Sequence, residues 1–368
     1  MTSRLHALCP YFAMFPAAFA REVIEQHSRV GDLVLDPFSG RGTTVLEALL
    51  AGRRAAGLDI NPVAYCVTAA KATVPSVARV EHTIDGLEAA YEASTLDLNA
   101  EAGDLPVYFR VAFQPETLRQ LLFLRSHLNW RRRANDRFVA AITMGILHGE
   151  NGRSIRYLSN QLPRTISPKP DYSVRYWAAR DLVAPRRDVF DALRSEIRFR
   201  LATETPSSNG VALLGDVRDA GVHLRKFRRE VSLVLTSPPY LNLTSFEEDQ
   251  WLRLWFLGYG SSPSKGRIGP DDRHPNLTRY GTFLRDAFGG VQPLLASRAT
   301  LVLRVGAKNR DPQELVTCVD DAIADALPGS RRLGRPAISE IMRRQTNAFR
   351  PGSVGCRLEI DLTYHAAA

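Results

Sequence analysis

The chain has 368 residues, of which 45% are hydrophobic, so it can build a packed core in one large domain or two ordinary ones. Lys and Arg outnumber Asp and Glu by 48 to 39, and this basic balance favours a polyanionic partner such as a nucleic acid. No apolar run approaches the ~18 residues that span a bilayer, and the amino terminus lacks a signal-peptide core, so we expect a cytoplasmic protein without a membrane partner. The cysteines are far apart and have no metal-ligand spacing, so we expect no metal site; they are Cys9, Cys66, Cys318 and Cys356.

An aromatic segment precedes the first predicted strand. It contains Phe12, Phe15 and Pro16 and leads into a helix that continues through Ile24. One interpretation is a helix that packs on a sheet. The other is a wall for the apolar end of a cofactor, because the segment lies directly before a glycine-rich stretch. The residues alone leave both interpretations open.

A strand, a glycine-rich loop and a helix are predicted in succession over residues 33–50. Three apolar residues end at Asp36, and Gly40 and Gly42 then allow the backbone to turn tightly and to approach a ligand closely. We expect Thr43 to cap the helix that follows. Such a loop at a helix start suits a nucleotide-like ligand, but it is also common as a plain structural connection.

The next apolar run ends in a second acid, Asp59, and a helix is predicted to follow from Asn61. A carboxylate at this point of a nucleotide-binding sheet can hold ribose hydroxyls. After residue 209 the alternation of strands and helices resumes, with apolar runs at 211–214, 231–235 and 300–305, and Asp216 follows the first of them. This alternation predicts an α/β fold.

Residues 76–209 separate the two alternating parts and are rich in helical periodicity. We interpret them as a mainly helical insert. Within it, a loop is predicted from Asn151 to Trp177, which is unusually long unless it is functional or disordered. Its side chains combine phosphate donors, base-edge donors and stacking rings, as a nucleic-acid surface would: Arg153, Arg156, Tyr157, Asn160, Gln161, Arg164, Lys169, Tyr172 and Tyr176.

The fourth strand runs directly into Ser237, Pro238, Pro239 and Tyr240. Two prolines fix the backbone without offering amide donors, so the carbonyl of Pro238 can serve as a bare acceptor. A hydroxyl precedes this carbonyl and an aromatic ring follows it. The set can therefore hold a flat ring that carries an amine, with Tyr240 on its face and two oxygens accepting the amine hydrogens.

Together with the glycine-rich stretch, this tetrapeptide resembles the motif set of the S-adenosylmethionine-dependent DNA amino-methyltransferases, specifically their cytosine-N4 branch. The resemblance covers residues 1–75 and 210–368 and implies a class I, Rossmann-like methyltransferase fold, with a mostly parallel sheet and helices on both faces. These two stretches would form the catalytic domain, with S-adenosylmethionine as cofactor. The insert at 76–209, which lies between the two motifs, would be the target-recognition region.

The resemblance also implies roles for individual residues. Ser237, Pro238, Pro239 and Tyr240 would form the catalytic motif. The methionine part of the cofactor would be held by Asp36, Phe38, Gly40 and Gly42, the ribose by Asp59 and the adenine amine by Asp216, while Phe12, Phe15 and Pro16 match the flanking aromatic motif.

The expected reaction is direct transfer of a methyl group to N4 of cytosine in a specific sequence of double-stranded DNA, after the base has been extruded. A cognate restriction endonuclease would be a partner in a restriction system. Adenine-N6 methylation, RNA base methylation and a non-catalytic DNA-binding role remain alternatives, since similar pockets accept either amine and the basic surface does not distinguish DNA from RNA. Cytosine-C5 chemistry is set aside, because that family needs a Pro-Cys pair and the sequence has none.

Overall fold

The computed structural model describes residues 2–11, 15–149, 156–163, 167–241, 245–269, 276–307, 310–341 and 356–367. Within these ranges, eight strands form one mostly parallel sheet, and helices cover both of its faces, which confirms the predicted α/β class. The strands are β1 Leu33–Asp36, β2 Arg54–Asp59, β3 Val211–Leu214, β4 Val231–Thr236, β5 Leu295–Gly306, β6 Arg331–Arg332, β7 Ala337–Glu340 and β8 Leu358–Ala367.

The strand order is β3-β2-β1-β4-β5-β8-β6, with β7 also paired to β8. The first five strands in this order are parallel, and β8 is antiparallel to β5. The chain therefore leaves β1 towards β2 on one side and later returns to β4 on the other side. In such a sheet, ligands bind outside the carboxyl ends of the strands where the order reverses. That point lies between β1 and β4.

The helices are α1 Ala17–His27, α2 Thr43–Leu50, α3 Pro62–Ala72, α4 Val77–Glu92, α5 Leu98–Asp104, α6 Val107–Ala112, α7 Pro115–His127, α8 Ala134–Ile146, α9 Pro170–Ala178, α10 Val189–Leu201, α11 Ala220–His223, α12 Phe246–Asp249, α13 Trp251–Phe256, α14 Leu277–Val291 and α15 Pro312–Ala326. No helix in the described ranges is long and apolar enough to cross a membrane.

The central strands are buried on both faces. Leu33 and Leu35 of β1 pack in the core under α14 and α15, whereas Val34 packs in the core under α1 and α2. Burial on both faces explains why this strand is a continuous apolar run and not an alternating one. The apolar run in the sequence therefore identified a central strand.

Helices α4 to α10 form the insert, and its core is continuous with the rest of the molecule. Val63 and Val67 of α3 lie in the same hydrophobic cluster as the insert residues Phe109 and Phe138. Trp251 of α13 joins this cluster from the chain that follows the Ser237–Tyr240 tetrapeptide. The insert therefore shares one hydrophobic core with α3 and α13.

Two local expectations were wrong. The residue that caps α2 is Gly42, which has φ +76° and offers no side-chain cap, while Thr43 is the first helical residue. The backbone turn needs a left-handed conformation at the cap, and this conformation excludes threonine. The range 151–177, which we predicted to be a loop, contains nearly all of α9. Pro170 can start a helix, and the side of α9 that carries Ser173 and Trp177 is buried.

Candidate functional site

The glycine-rich loop connects β1 to α2 at the point where the strand order reverses. Gly40 and Gly42 have φ values of +49° and +76°, a region that favours glycine. A Cβ at Gly42 would lie 2.8 Å from Oγ1 and 3.0 Å from Cα of Thr68, so no side chain fits there. A Cβ at Gly40 would meet its nearest neighbour, the Tyr11 ring, only at 3.7 Å. Gly42 is thus required by packing and conformation, and Gly40 by conformation.

Helix α3 holds this loop through two hydrogen bonds to its main-chain carbonyls. The Thr68 hydroxyl donates to the carbonyl of Gly40 at 3.1 Å, and the Lys71 ammonium donates to the carbonyl of Arg41 at 2.6 Å. Lys71 is fully buried, and burial lowers its pKa well below the usual value. Sequence reasoning missed both residues. A lysine inside an otherwise apolar helix was the available signal.

Asp36 lies at the carboxyl end of β1 and is buried. Its Oδ1 accepts a hydrogen bond from the hydroxyl of Thr236 at 2.6 Å and another from the amide of Phe38 at 3.2 Å. Burial raises the pKa of Asp36 to about 6, although these hydrogen bonds oppose the shift. The acid thus connects β1 to the last residue of β4.

Asp59, at the end of β2, is bonded to the glycine loop. Its Oδ2 accepts from the amide of Gly40 at 2.8 Å, and its Oδ1 accepts from the amide of Asn61 at 2.9 Å. Burial raises its pKa to about 7. The Asn61 side chain in turn donates to the hydroxyl of Tyr11 at 2.8 Å. The carboxylate keeps further lone pairs for a ligand, since each oxygen has two.

Asp216 follows β3 and is partly exposed. Its Oδ1 accepts from the amide and from Nε of Arg218, each at 2.9 Å, and its Oδ2 accepts from Nη2 of Arg218 at 2.5 Å. These hydrogen bonds and the charge of Arg218 hold the pKa of Asp216 below its usual value. This acid therefore stays ionised near neutral pH and already has a cationic partner.

The predicted aromatic residues lie in different environments. Phe12 is outside the described residues. Phe15 is buried, with its ring centroid 5.5 Å from that of Phe19, and Pro16 is exposed at the start of α1. Phe38 is half-buried, and its ring centroid lies 5.7 Å from that of Phe283 on α14. Their contact with a cofactor stays a prediction.

The tetrapeptide lies beyond β4, beside the end of β5. The Ser237 hydroxyl donates to the carbonyl of Arg304 at 3.0 Å, and Pro238 is buried while Pro239 is partly exposed. Tyr240 is only 7% exposed, and its hydroxyl donates to Oε1 of Glu359 at 2.8 Å. Burial, followed by the charge of Glu359, raises the pKa of Tyr240 well above its usual value. Stacking of this ring on a base stays a prediction.

Comparison with known proteins agrees with this geometry. Residues 3–71, which contain the glycine loop, Asp36 and Asp59, match the DNA methylase family of N6 and N4 methyltransferases. Over this segment the chain is similar to the DNA amino-methyltransferases. This similarity supports S-adenosylmethionine as the cofactor.

Two curated relatives illustrate the range of similarity. The type II methyltransferase M.MjaII of Methanocaldococcus jannaschii is 34% identical over 61 residues, which are 17% of this chain and 12% of that protein. The type II methyltransferase M.MvaI of Kocuria varians is 28% identical over 164 residues, which are 42% of this chain and 36% of that protein. The chain thus matches about a third or less of the length of these relatives.

Among solved structures, an rRNA methyltransferase from Streptomyces viridochromogenes is 12% identical, with a TM-score of 0.36. The comparison covers 99% of this chain and 92% of that one. The fold class follows instead from the strand order of the chain itself, described above.

Behind the tetrapeptide, the protein carries an ion cluster that sequence reasoning missed. Nε and Nη2 of Arg304 donate to the two oxygens of Asp361 at 2.6 and 2.7 Å, and Nη1 lies 3.5 Å from Oε2 of Glu359. The guanidinium carbon is 3.7 Å from the ring centroid of Phe19. The available signal was the alternation of Glu359 and Asp361 with apolar residues in the last predicted strand.

Helix α9 and the turn that follows it carry a row of aromatic and basic side chains. Tyr172 is 53% exposed, and its ring centroid lies 6.0 Å from that of Tyr176. The Arg180 guanidinium lies 4.0 Å from the same Tyr176 ring. Trp177 anchors the opposite side, where its indole donates to the carbonyl of Gln161 at 2.8 Å. Arg153 and Arg164, predicted to share this surface, lie outside the described residues.

Proposed function

We propose that this protein transfers the methyl group of S-adenosylmethionine to the exocyclic N4 of cytosine in a specific DNA sequence. The observation that carries the proposal is the hydrogen bond from Ser237 to the carbonyl of Arg304. A serine hydroxyl has one proton and two lone pairs. Because the proton is directed to Arg304, the lone pairs of Ser237 are left to accept hydrogens from a substrate amine.

The donor set around the glycine loop fits the cofactor. S-adenosylmethionine is a cation whose ammonium, ribose hydroxyls and adenine amine are all hydrogen-bond donors. Three acids lie at the carboxyl ends of three adjacent parallel strands: Asp36 is the last residue of β1, Asp59 is the last residue of β2, and Asp216 follows β3. The buried Ser39 hydroxyl has no hydrogen-bond partner among the described residues, so the loop also holds a spare polar group.

We assign the cofactor contacts accordingly. Asp36 and the loop would hold the methionine part, Asp59 the ribose and Asp216 the adenine amine. Phe38 contributes an aromatic surface beside the loop, and Phe12, Phe15 and Pro16 would border the pocket. When bound, the cofactor supplies an electrophilic methyl group on a sulfonium. The protein's own contribution is to bind, to orient and to exclude water.

The acceptor amine determines what the tetrapeptide must do. The exocyclic nitrogen of cytosine shares its lone pair with the ring and is a weak nucleophile. Hydrogen bonds from this amine to Ser237 Oγ and to the carbonyl of Pro238 would favour a pyramidal nitrogen, with its lone pair free to attack. Positioning and electrostatics then account for the rate, and Ser237 need not act as a strong base.

The residue before Pro238 is a serine and not an aspartate or asparagine. A serine at this position favours cytosine over adenine as the substrate base. The basic composition and the exposed α9 surface support a nucleic-acid substrate, and we propose double-stranded DNA. The insert at 76–209 would recognise the target sequence, and a restriction endonuclease of the same specificity would be the partner in a restriction system. We propose a cytoplasmic location, where such DNA is found.

The decisive experiment is nucleoside mass spectrometry of DNA from a methylation-deficient bacterial host that expresses the chain. N4-methylcytosine is expected with the wild type and with Ser232→Ala, a matched change on the same strand, and is expected to vanish with Ser237→Ala. N6-methyladenine would overturn the base assignment. Unmodified DNA together with methylated RNA would overturn the substrate, and no methylation of either by a protein that binds the cofactor would favour a non-catalytic DNA-binding role.

A further inference from the structure

We propose that Arg304 and Glu359 are positioning residues that hold the two ends of the Ser237–Tyr240 tetrapeptide in the geometry needed for methyl transfer. Arg304 lies on β5, and Glu359 lies on β8, the antiparallel strand beside it. The inference rests on the proposed function, because it concerns the same tetrapeptide. It adds one residue from β5 and one from β8, both of which lie outside the two sequence motifs.

The first step concerns Ser237. Its hydroxyl proton is held by the main-chain carbonyl of Arg304 at 3.0 Å. The position of that carbonyl depends on β5, and the side chain of Arg304 is fixed by two hydrogen bonds to Asp361. A bidentate arginine–carboxylate pair restricts orientation as well as distance. Arg304 therefore determines where the lone pairs of Ser237 point.

The second step concerns Tyr240. Its hydroxyl donates to Glu359 at 2.8 Å, and both side chains are buried. The ring packs closely over Gly306, where a Cβ would lie 2.8 Å from Cδ2 of Tyr240. The ring is thus held by the hydrogen bond of its hydroxyl to Glu359 and by packing on the backbone of Gly306. Its remaining freedom is small, and Glu359 sets its tilt.

The third step joins the two ends. Oε2 of Glu359 lies 3.5 Å from Nη1 of Arg304, and Oε1 of the same carboxylate accepts from Tyr240. Ser237, Arg304, Glu359 and Tyr240 therefore form a closed chain of contacts behind the two prolines. A shift of one member moves the others, and a displacement of about 1 Å at reacting groups can cost about 10²-fold in rate.

The same strand offers a matched control. Tyr364 of β8 donates from its hydroxyl to Oδ1 of Asp320 at 2.8 Å, and Asp320 also pairs with Arg332 at 2.6 Å. This is again a buried tyrosine, a carboxylate and an arginine, but it packs against α15, on the face opposite Glu359. Loss of either carboxylate is expected to destabilise the fold, whereas only Glu359 is expected to affect catalysis.

The test compares Glu359→Ala and Glu359→Gln with Asp320→Ala and Asp320→Asn, using the full chain. Four quantities are measured: kcat, the KM for DNA, the Kd for S-adenosylmethionine and the unfolding midpoint. Glu359→Ala is expected to lower kcat about 10²-fold with little change in cofactor affinity. Glu359→Gln keeps an acceptor for Tyr240 and is expected to recover most of that loss. The Asp320 variants are expected to lower only the unfolding midpoint.

A double-mutant cycle covers the case in which Glu359→Ala does not fold. In this cycle Glu359→Leu removes the acceptor but keeps the side-chain volume, and in a Tyr240→Phe background it is expected to lower kcat much less than in the wild-type background, since the hydroxyl that Glu359 anchors is already gone. Equal effects of the Glu359 and Asp320 substitutions on kcat, or parallel losses of kcat and cofactor affinity, would overturn the positioning role while leaving the proposed function intact. Absence of methyl transfer by the wild type would instead overturn the proposed function, and the positioning role with it.

Discussion

The hydroxyl of Thr236 donates a hydrogen bond of 2.6 Å to Oδ1 of Asp36, and both residues are buried. This bond joins the carboxyl ends of β1 and β4, where the strand order reverses. We expect Thr236→Val, which keeps the shape but removes the donor, to reduce the free energy of unfolding by about 1–3 kcal/mol because a buried acceptor loses a partner. It should also raise the pKa of Asp36 above about 6, since the lost bond favoured the ionised form.

Urea unfolding measures the change in the free energy of unfolding. Calorimetric titration with S-adenosylmethionine at pH 7 reports the change in the pKa of Asp36 through the cofactor affinity. Thr236→Ser keeps a hydroxyl and should behave like the wild type in both. Equal stability and affinity in Thr236→Val and Thr236→Ser would show that the bond contributes nothing.

Cofactor affinity should depend on pH through Asp36 and Asp59, whose pKa values burial raises to about 6 and about 7. A bound cation favours the ionised carboxylates, so protonation competes with binding. Affinity is therefore expected to be fully present above pH 7 and to fall as pH drops through 7 and then 6, by up to about tenfold per pH unit for each proton taken up. Asp216 should contribute nothing in this range because Arg218 keeps its pKa low.

Calorimetry at pH 7.5, 6.5 and 5.5 provides the measurement. The stability of the protein without cofactor should change in the opposite sense. Both pKa values lie above the ordinary 3.8, so ionisation destabilises the fold and stability should fall as pH rises from about 4 to 7. A cofactor affinity that is constant over this range would argue against contact between these acids and the cofactor.

Gly42 and Gly52 provide a matched pair for the glycine loop, since their φ values are +76° and +74°. Alanine at either position carries about 1–2 kcal/mol of left-handed backbone strain. At Gly42 the added Cβ also meets Thr68 at 2.8 Å, whereas at Gly52 its nearest neighbour is Val30 at 3.5 Å. Gly42→Ala should therefore be the more destabilising by at least about 1 kcal/mol and should also weaken cofactor binding.

Thermal unfolding and cofactor titration of the two variants test this expectation. Gly52→Ala should lose stability only. If both variants bound the cofactor as tightly as the wild type, the loop would have no role in the cofactor pocket.

The exposed row on α9 should contribute to nucleic-acid binding through Tyr172. Stacking of a base on an aromatic ring is worth about 1–3 kcal/mol, so Tyr172→Ala should weaken binding roughly 5- to 150-fold. Tyr172→Phe keeps the ring and should bind almost as well as the wild type. Fluorescence anisotropy with labelled duplex and single-stranded oligonucleotides measures this effect and shows which form uses the row.

Cofactor affinity provides the control for that experiment, since α9 belongs to the insert and Tyr172 touches none of the glycine loop. It should be unchanged in Tyr172→Ala. Equal DNA affinity of Tyr172→Ala and the wild type would mean that the row serves another purpose, such as stabilising the helix through neighbouring rings.

Short-range sequence patterns determined where the central strands, the glycine loop and the tetrapeptide lie in the chain. Apolar runs that end in Asp36 and Asp59 identified central strands and their carboxyl ends, since strands buried on both faces are continuous in hydrophobicity. The glycines marked a left-handed turn, and the two prolines marked a rigid strand end. These features depend on neighbours in the chain, and sequence alone therefore located the glycine loop and the tetrapeptide.

Tertiary structure alone determined which distant side chains meet. Thr236 and Asp36 are separated by 200 positions, and Tyr240 and Glu359 by 119. The pairing of β5 with β8 places Arg304 opposite Asp361, and a shift of one residue would turn these side chains to the other face. Local sequence does not encode that register, because it follows from packing of the whole sheet. The positions of the glycine loop and the tetrapeptide were thus readable from sequence, whereas the contacts that hold them were not.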